Sequence, residues 1–229
     1  MKDSIIALLF LLVTVGLFYA NQAVYQRHKR VWLMPAIVTS LLLILLVQLT
    51  ATPYPLYFQD AHWLVWLLGP ATVSFALPIY QNRRLIQKYW LALCVGSVAG
   101  IVVSILTTEL LVRAMHIDSH IARSLLARSV STPFAVEATL HLGGTAQLTG
   151  LFVIITGLFG IVLGEIILTL LPLRSRIARG APHGAAAHGF GLTVARGVGP
   201  EEGAVASLTM IFSGVLTVLL SPLIAMILG

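Results

Sequence analysis

Two polar, glycine-rich stretches decide how this chain folds: SLLARSVSTPFAVEATLHLGGTAQLTG (Ser124–Gly150) and RSRIARGAPHGAAAHGFGLTVARGVGPEEG (Arg174–Gly203). Both lie between strongly apolar runs, and neither holds the roughly 20 consecutive apolar residues that a membrane-spanning helix needs. They are nevertheless rich in small residues rather than in the charges of a solvated loop. Irregular backbone survives at membrane depth only where protein buries it or water lines it. The pattern therefore predicts two re-entrant or broken-helix segments that together form a site.

The composition around these stretches is that of a protein of the lipid bilayer. Of the 229 residues, 58% are hydrophobic and 10% are charged, and the mean hydropathy is +0.96. Soluble domains carry about 25% charged residues. The formal net charge is +6, but the basic residues are scattered through short loops, so we expect no nucleic-acid partner. The single cysteine, Cys94, excludes a disulfide within one chain. We expect an all-α, polytopic integral membrane protein.

Six apolar runs predict full transmembrane helices, because each is long enough to cross a hydrocarbon core about 30 Å thick. The runs are Ser4–Ala20, Val31–Thr50, His62–Tyr80, Tyr89–Val112, Gln147–Leu171 and Ala204–Leu228. The third is interrupted by Gly69-Pro70 and Pro78, which predicts a kink or a break. We divide the chain into residues 1–60, with two N-terminal helices, and residues 61–229, which carry the polar stretches 124–150 and 174–203.

The basic residues of the loops predict an orientation. They cluster after the first, third and fifth runs, whereas the loop after the second run has no Lys or Arg. The clusters are Arg27, Lys29 and Arg30; Arg83, Arg84 and Lys88; and Arg174, Arg176 and Arg179. By the positive-inside rule these clusters are cytoplasmic, and the N-terminus lies outside. The third cluster stays inside only if residues 124–141 enter and leave on the outer side. Residues 181–200 then return to the inner side.

This topology gives two units of opposite orientation, about 124–171 and 181–228, each a re-entrant segment followed by a helix. An offset of 57 residues aligns Thr156-Gly157 with Ser213-Gly214. A competing offset of about 60 aligns Phe75-Ala76-Leu77 with Phe134-Ala135-Val136, and both registers stay open. Inverted repeats with broken helices that meet at mid-membrane are the common plan of secondary transporters.

The first polar stretch carries the sharpest candidate binding motif, Arg128 to Pro133. The hydroxyls of Ser129, Ser131 and Thr132 precede Pro133, and proline suits the first turn of a helix. This predicts a helix that begins at about Thr132, where free N–H groups and the positive end of the dipole favour a carboxylate. The alternative is a capped helix start without a ligand.

In the second polar stretch, His188 within AAAHGFG is the candidate for chemistry. The charge of a histidine changes near neutral pH, so His188 suits a hydrogen-bond donor or proton carrier beside a substrate. The alternative is a core histidine with satisfied hydrogen bonds. Gly189 and Gly191 leave the backbone beside it open to close approach. His183 is five residues away and no Cys, Asp or Glu is near in sequence, so we expect no metal and no cofactor.

Two acids lie closest to membrane depth, Glu137 and Glu165, and an ionisable residue there is a functional candidate by default. Glu137, with His188, is a candidate for proton coupling. The role of Glu165 is open, because it could instead pair with Arg174 or Arg176 near the end of its helix.

Other features are predicted to serve structure. Gly160 and Gly164 have the GxxxG spacing that is more often used for helix packing than for substrate contact. Arg196, Glu201 and Glu202 suit a solvated turn before the final span, although Arg196 and Glu202 stay candidates for the site.

The order and spacing of several motifs resemble the LrgB/CidB family of membrane proteins. The run ARSVSTPFAVEATLHLGGTAQLTGLFVIITGLFGIVLG is followed by ARG, AAAHGFG and EEGAVASL, and GPATVSFALPIY precedes it. The likeness covers roughly Trp63 to the C-terminus. The family is described as holin-like, acting with a small LrgA or CidA partner in control of murein hydrolase activity and autolysis. Relatives, including a plastid glycolate/glycerate translocator, move small 2-hydroxy or 2-oxo carboxylates.

The resemblance carries the family's polar positions onto this chain. They are Ser129, Ser131, Thr132, Pro133, Gly143, Gly144, His188, Gly189, Gly191 and Glu202. The chain departs from the family at three places. Ala127-Arg128-Ser129 stands where Pro-Lys-Ser is usual, Glu165 replaces a residue that is often Pro, and Arg196 lies two positions beyond the arginine of the family's Gly-Thr-Ala-Arg.

These observations predict a secondary transporter of small organic monocarboxylates such as pyruvate, glycolate or lactate, in the bacterial inner membrane. The expected substrate-binding residues are Arg128, Ser129, Ser131, Thr132, Pro133, His188, Gly189 and Gly191. The alternative is a holin-like structural membrane protein that modulates murein hydrolase activity. We expect no enzyme, because the sequence has no HExxH, no Ser-His-Asp spacing and no paired intramembrane Asp. The expected partners are an LrgA/CidA-like protein, the carboxylate, the bilayer and further copies of the chain.

Overall fold

The computed structural model is helical in every element of regular structure that it describes. The described residues are 2–28, 30–171, 173 and 175–228. Lys29 and Arg174, two members of the predicted cytoplasmic clusters, lie outside them. The chain divides into two compact units, Met1–Pro70 and Ala71–Gly229.

The first unit packs its long N-terminal helix against two shorter ones. Its elements are α1 (Lys2–His28), a 3-10 turn (Val31–Leu33), α2 (Pro35–Leu49) and α3 (Tyr54–Trp66). Proline fixes a backbone angle that suits the first turn of a helix, so α2 begins only at Pro35. The ring of Phe10 in α1 meets Tyr57 in α3 edge to face, with centroids 5.8 Å apart.

The rest of the chain alternates long and short helices. They are α4 (Leu68–Ser74), α5 (Ala76–Gln81), α6 (Arg83–Ala114), α7 (Ser119–Leu126), α8 (Thr132–Leu142), α9 (Ala146–Leu170), α10 (Arg176–Val198) and α11 (Pro200–Leu228). The third apolar run is divided among α3, α4 and α5, which confirms the break predicted from Gly69-Pro70 and Pro78.

Five helical stretches among the described residues are long and apolar enough to cross a membrane, judged by length and composition. They are Asp3–His28, Tyr54–Gln81, Arg83–Ala114, Ala146–Leu170 and Pro200–Leu228. Five of the six predicted runs therefore fall in helices of spanning length. The remaining run, Val31–Thr50, contains the apolar helix α2, which has only 15 residues because it begins at Pro35.

The first polar stretch folds back on itself as a helical hairpin, here called hairpin A, made of α7 and α8 with a break at residues 127–131. The backbone N–H of Thr145, just after α8, donates to the Ser124 hydroxyl in α7 over 2.8 Å. A Cβ placed on Gly144 would lie only 2.8 Å from the Ser124 backbone nitrogen. The chain therefore leaves hairpin A close to where it entered.

The second polar stretch also folds back, although α10 counts as one helix. Its backbone is non-helical at His188, with φ 51° and ψ −129°. A Cβ added to Gly191 would collide with the carbonyl of His183, yet an uninterrupted helix separates residues eight apart by about 12 Å. At the open end, Arg176 pairs with Glu201 of α11 over 2.8 Å. Residues 176–198 thus form hairpin B, with His188 at its tip.

The two hairpins lie at opposite ends of α9. Hairpin A closes beside Thr145, immediately before α9, and hairpin B opens at Arg176, shortly after α9 ends. With the offset of 57 residues, the start of α7 at Ser119 corresponds to the start of α10 at Arg176. The end of α9 at Leu170 corresponds to residue 227, next to the end of α11 at Leu228. The helix boundaries therefore agree with this register, but they also fit the competing offset of about 60, which carries Gln81 at the end of α5 onto His141 near the end of α8, so both registers stay open. Entry of each hairpin from its own side of the bilayer stays a prediction.

Candidate functional site

The tips of the two hairpins meet at the middle of α9. The Arg128 guanidinium, in the break of hairpin A, donates to the hydroxyl of Thr156 over 3.4 Å. One turn further along α9, a Cβ on Gly160 would lie 2.5 Å from the carbonyl oxygen of Ala186, close to the tip of hairpin B. Because glycine has no side chain, α9 can pack backbone to backbone against this tip.

His188 is the most buried polar side chain at the meeting point, with 2% of its surface exposed. Its neighbours from hairpin A include the Ser129 backbone and the charge of Arg128. Neither ring nitrogen reaches hydrogen-bond geometry with any described residue. The Ser129 backbone nevertheless lies close enough to interact with the ring, so the predicted alternative of a core histidine with satisfied hydrogen bonds stays open.

The backbone of His188 is itself unusual. Its φ of 51° and ψ of −129° are close to those of the first central residue of a type II′ turn, a position that normally holds glycine. A non-glycine residue in such a conformation carries strain of about 1–3 kcal/mol, and such strain is commonest at functional sites. The sharp reversal of hairpin B thus holds an imidazole where glycine would be easier to accommodate.

The break in hairpin A carries the predicted hydroxyl motif. Helix α8 begins at Thr132, as the sequence predicts, with Pro133 in its first turn and Ser131 at the N-cap position. The Ser131 side chain makes no capping hydrogen bond, so the predicted side-chain cap is absent here. The hydroxyl of Ser129 is instead hydrogen bonded to Ser104 of α6.

Arg128 lies half-buried beside a cavity of about 810 Å³ between α9 and hairpin B. Thr156 and His183 are its other polar side chains; the rest of the lining is apolar or glycine. Among the residues that the structure describes, no carboxylate lies within 4.0 Å of the Arg128 guanidinium. A half-buried cation whose hydrogen bond among the described residues is a long one of 3.4 Å is able to take up an anion.

The two acids predicted at membrane depth are not gathered at this point. Glu137 lies on the exposed face of α8, so its role in proton coupling stays a prediction. Glu165 is also exposed, and it lines a separate cavity of about 210 Å³ with Arg179 and His183. Of its two predicted alternative partners, Arg176 pairs with Glu201 instead, and Arg174 lies outside the described residues, so that pairing stays a prediction.

Two ion pairs join the open end of hairpin B to the first turn of α11. Arg176 donates to Glu201, and this hydrogen bond raises the pKa of the guanidinium above its usual value. Arg179 donates to Glu202 over 3.2 Å, and Glu202 is only 5% exposed. The predicted solvated turn is therefore wrong for Glu202. Its carboxylate is part of the packing, whereas Arg196 is exposed.

The glycines carried over by the family resemblance have different settings. Gly143 ends α8 in the left-handed conformation, with φ 74°. Gly144 and Gly191 pack against backbone of the opposite arm of their own hairpins, and Gly189 has no neighbour that a Cβ would meet. These glycines shape the hairpins, and no ligand contact follows from their positions.

Sequence reasoning missed the residues that receive the hairpin tips, above all Thr156 and Ser104. Both lie inside apolar runs that predict ordinary spans, and a hydroxyl in such a run is the signal that would have pointed to them. Within the described ranges, no three His, Cys, Asp or Glu side chains gather into a group that could hold a metal ion.

Five helical stretches of spanning length among the described residues, together with two helical hairpins joined by the long apolar helix α9, are typical of multi-pass helical membrane proteins. The particular family follows from the sequence: the chain belongs to the LrgB-like family, whose model matches residues 14–227. The match reaches back into α1, so the likeness extends further than the motifs from Trp63 onward indicate.

Full-length relatives agree with this assignment. The holin-like protein CidB of Staphylococcus aureus is 31% identical over 227 residues, which cover 99% of each chain. CidB of Staphylococcus epidermidis is 30% identical over the same share. The protein YwbG of Bacillus subtilis is 33% identical over 95% of this chain and 96% of its own. No solved structure matches the chain significantly.

Proposed function

We propose that this protein is a holin-like, multi-pass protein of the bacterial cell membrane, of the CidB type. The support is the likeness to proteins of that name over 99% of both chains, together with five helices of spanning length among the described residues. In this function it acts with a small LrgA/CidA-like membrane protein and modulates murein hydrolase activity. The names of these relatives favour the holin-like function over the transport function predicted from the sequence.

A second candidate function, transport of small monocarboxylates, is favoured by one observation. Arg128 is a half-buried cation without a carboxylate partner among the described residues, and it lies where two helix breaks meet. An unpaired charge within a membrane is costly, and ionisable residues kept there usually serve an ion or substrate pathway. A bound anion would supply the missing partner.

The surroundings of Arg128 suit a small carboxylate with an apolar end. A guanidinium binds a carboxylate through two parallel hydrogen bonds, and its fork is stronger in a site from which water is excluded. The neighbouring cavity of about 810 Å³ is within the range of small-molecule sites and is largely apolar. The start of α8 at Thr132 adds the positive end of a helix dipole.

Transport in this scheme would require the site to open alternately to each side. The hairpins enter from opposite ends of α9, so movement of one tip relative to α9 would open the meeting point toward one end at a time. The ion pairs that fix the open end of hairpin B to α11 would keep that movement at the tip.

Purified protein in proteoliposomes separates the two functions. Uptake of labelled pyruvate, glycolate and lactate is measured beside release of trapped carboxyfluorescein, with and without the small partner. A transporter gives saturable uptake that Arg128→Gln reduces at least tenfold and Arg128→Lys partly retains, while the exposed Arg113→Gln control transports normally.

The holin-like function predicts different results in the same vesicles. Release of the dye would then rise with protein content, without saturation by any carboxylate, and Arg128→Gln would leave it unchanged. Saturable uptake without dye release would contradict the holin-like proposal, and dye release with no saturable uptake would contradict the transport candidate.

A further inference from the structure

His183 of hairpin B lines two cavities: the one of about 810 Å³ beside Arg128 and the one of about 210 Å³ beside Glu165. The side chain is buried, with 5% of its surface exposed. Both ring nitrogens of His188 are enclosed without a partner, whereas those of His183 are not enclosed. The His183 ring is therefore accessible from the cavities that it lines.

The smaller of these cavities is lined mainly by ionisable and polar side chains, in contrast to the larger one. They come from three helices: Glu165 and Thr169 of α9, Arg179 and His183 of α10, and Glu202 of α11. The rest of the described lining is Leu168 and Val198. A polar cavity of this size has room for several water molecules, which would bring protons to the side chains around it.

The charges of the smaller cavity leave one carboxylate without an ion pair. Arg179 donates to Glu202 over 3.2 Å, and these two charges neutralise each other. Glu165 makes no ion pair with any described residue, and its charge acts on His183 of the neighbouring helix. Burial disfavours a charge on this ring, whereas a carboxylate beside it stabilises the protonated form. The two effects oppose each other, which suits a proton that is bound and then released.

His183 lies between the open end of hairpin B and Arg128. On α10 it follows Arg179 by four residues, or about 6 Å. On α9, Glu165 lies nine residues beyond Thr156, the hydroxyl of which binds Arg128, and nine helical residues span about 14 Å. The smaller cavity thus connects the paired end of the hairpin to the ring, and the larger cavity continues toward Arg128.

We propose that His183, with Glu165 as its counter-charge, binds the proton that accompanies a carboxylate through the membrane. This role rests on the transport candidate. A proton from water adds to the free nitrogen of the neutral imidazole, and the same N–H bond breaks when the proton returns to water. Because the ring lines both cavities, a proton that arrives from one cavity can leave through the other. One proton and one carboxylate together carry no net charge.

The two proton carriers predicted from the sequence fit this role less well. Glu137 is exposed on α8 and lines neither cavity. The ring nitrogens of His188 are enclosed, so water does not reach them in this arrangement. His183 is therefore the coupling group that the cavities favour.

Proteoliposomes that contain the full-length protein test the proposal through the steady-state accumulation of labelled pyruvate. The lumen is held about one pH unit more alkaline than the outside, the membrane potential is held at zero with valinomycin and equal K⁺, and uptake by protein-free vesicles is subtracted. With one proton carried per carboxylate, this gradient supports about tenfold accumulation. Counterflow, the exchange of external labelled pyruvate for internal unlabelled pyruvate at equal pH, needs no net proton movement and reports whether a variant still transports.

Two variants remove the proposed groups, His183→Gln and Glu165→Gln. His141→Gln is the matched control, since His141 is exposed and lines neither cavity, and Glu137→Gln tests the carrier predicted from the sequence. We expect about tenfold accumulation in the wild type, in His141→Gln and in Glu137→Gln. His183→Gln and Glu165→Gln should only equilibrate pyruvate across the membrane, while counterflow continues.

Four results would overturn the proposal. Full accumulation in His183→Gln and Glu165→Gln is the first, and loss of accumulation and counterflow in equal proportion is the second. The third is loss of accumulation in Glu137→Gln alone. If His183→Gln does not fold, Glu165→Gln decides, because its side chain is exposed. Counterflow by a wild type that does not respond to the gradient is the fourth, and it rejects the proton site while the transport candidate stands. A wild type without counterflow rejects the transport candidate, and the proton site with it.

Discussion

Two glycines one turn apart on α9 provide a sharp test of how the tip of hairpin B packs. A Cβ added at Gly160 would lie 2.5 Å from the carbonyl oxygen of Ala186 and 3.1 Å from the Cα of Ala187. Ordinary contact begins at 3.4 Å, and the obstructing atoms are backbone, so the tip must move by about 0.9 Å. Gly164 lies on the same helix and has no neighbour within 4 Å.

The magnitude follows from two effects. Both substitutions by alanine remove a flexible residue from a helix, which stabilises by about 0.5–1 kcal/mol. Overpacking costs typically 1–3 kcal/mol, and it applies to Gly160→Ala alone. The propensity effect is the same in the two variants and cancels. The unfolding free energy of Gly160→Ala should therefore be about 1–3 kcal/mol lower than that of Gly164→Ala.

Reversible unfolding in mixed detergent micelles, followed by circular dichroism, measures this difference. Gly164→Ala should equal or exceed the wild type in stability, and Gly160→Ala should fall below it. If the two variants are equally stable, or if Gly160→Ala is the more stable, the close packing of hairpin B on α9 is refuted.

Two further predictions concern the open ends of the hairpins. Arg179→Gln leaves the buried carboxylate of Glu202 without its partner and should lower the unfolding free energy by about 1–3 kcal/mol. Arg176→Gln removes an exposed ion pair and should hardly change the unfolding free energy. Equal losses in the two variants would contradict the prediction that the pair with buried Glu202 stabilises the fold more than the exposed pair does. Ser124→Ala removes the acceptor that ties hairpin A to the start of α9 and should cost about 1–3 kcal/mol, whereas Ser119→Ala on the exposed face should be neutral.

The sequence predicts the helices well, because hydrophobicity and proline act locally. The start of α8 at Thr132 follows from hydroxyls followed by Pro133, and the division of the third run follows from Gly69-Pro70. The length of α2 was overestimated, because the apolar run continues through Pro35 while the helix begins there.

The arrangement of the site could be predicted only in part. Small residues and charge asymmetry point to two segments that turn back, but no local rule identifies His188 as the tip, because its positive φ is imposed by packing around it. The partner of Glu202 was also missed, since Arg179 is distant in sequence and reaches it only once hairpin B has folded back. Tertiary contacts, not propensities, decide these features.

Hairpins A and B are expected to enter the membrane from opposite faces and to meet inside it. Single cysteines in a Cys94→Ser background, labelled with a membrane-impermeant maleimide from each side, test it directly. The positions are the exposed ends of the hairpins, Asp118 and His141 for hairpin A and Ser175 and Gly197 for hairpin B. We expect Asp118→Cys and His141→Cys to be labelled from outside, and Ser175→Cys and Gly197→Cys to be labelled from the cytoplasm. Labelling of the two ends of one hairpin from opposite faces, or of both hairpins from the same face, would contradict it.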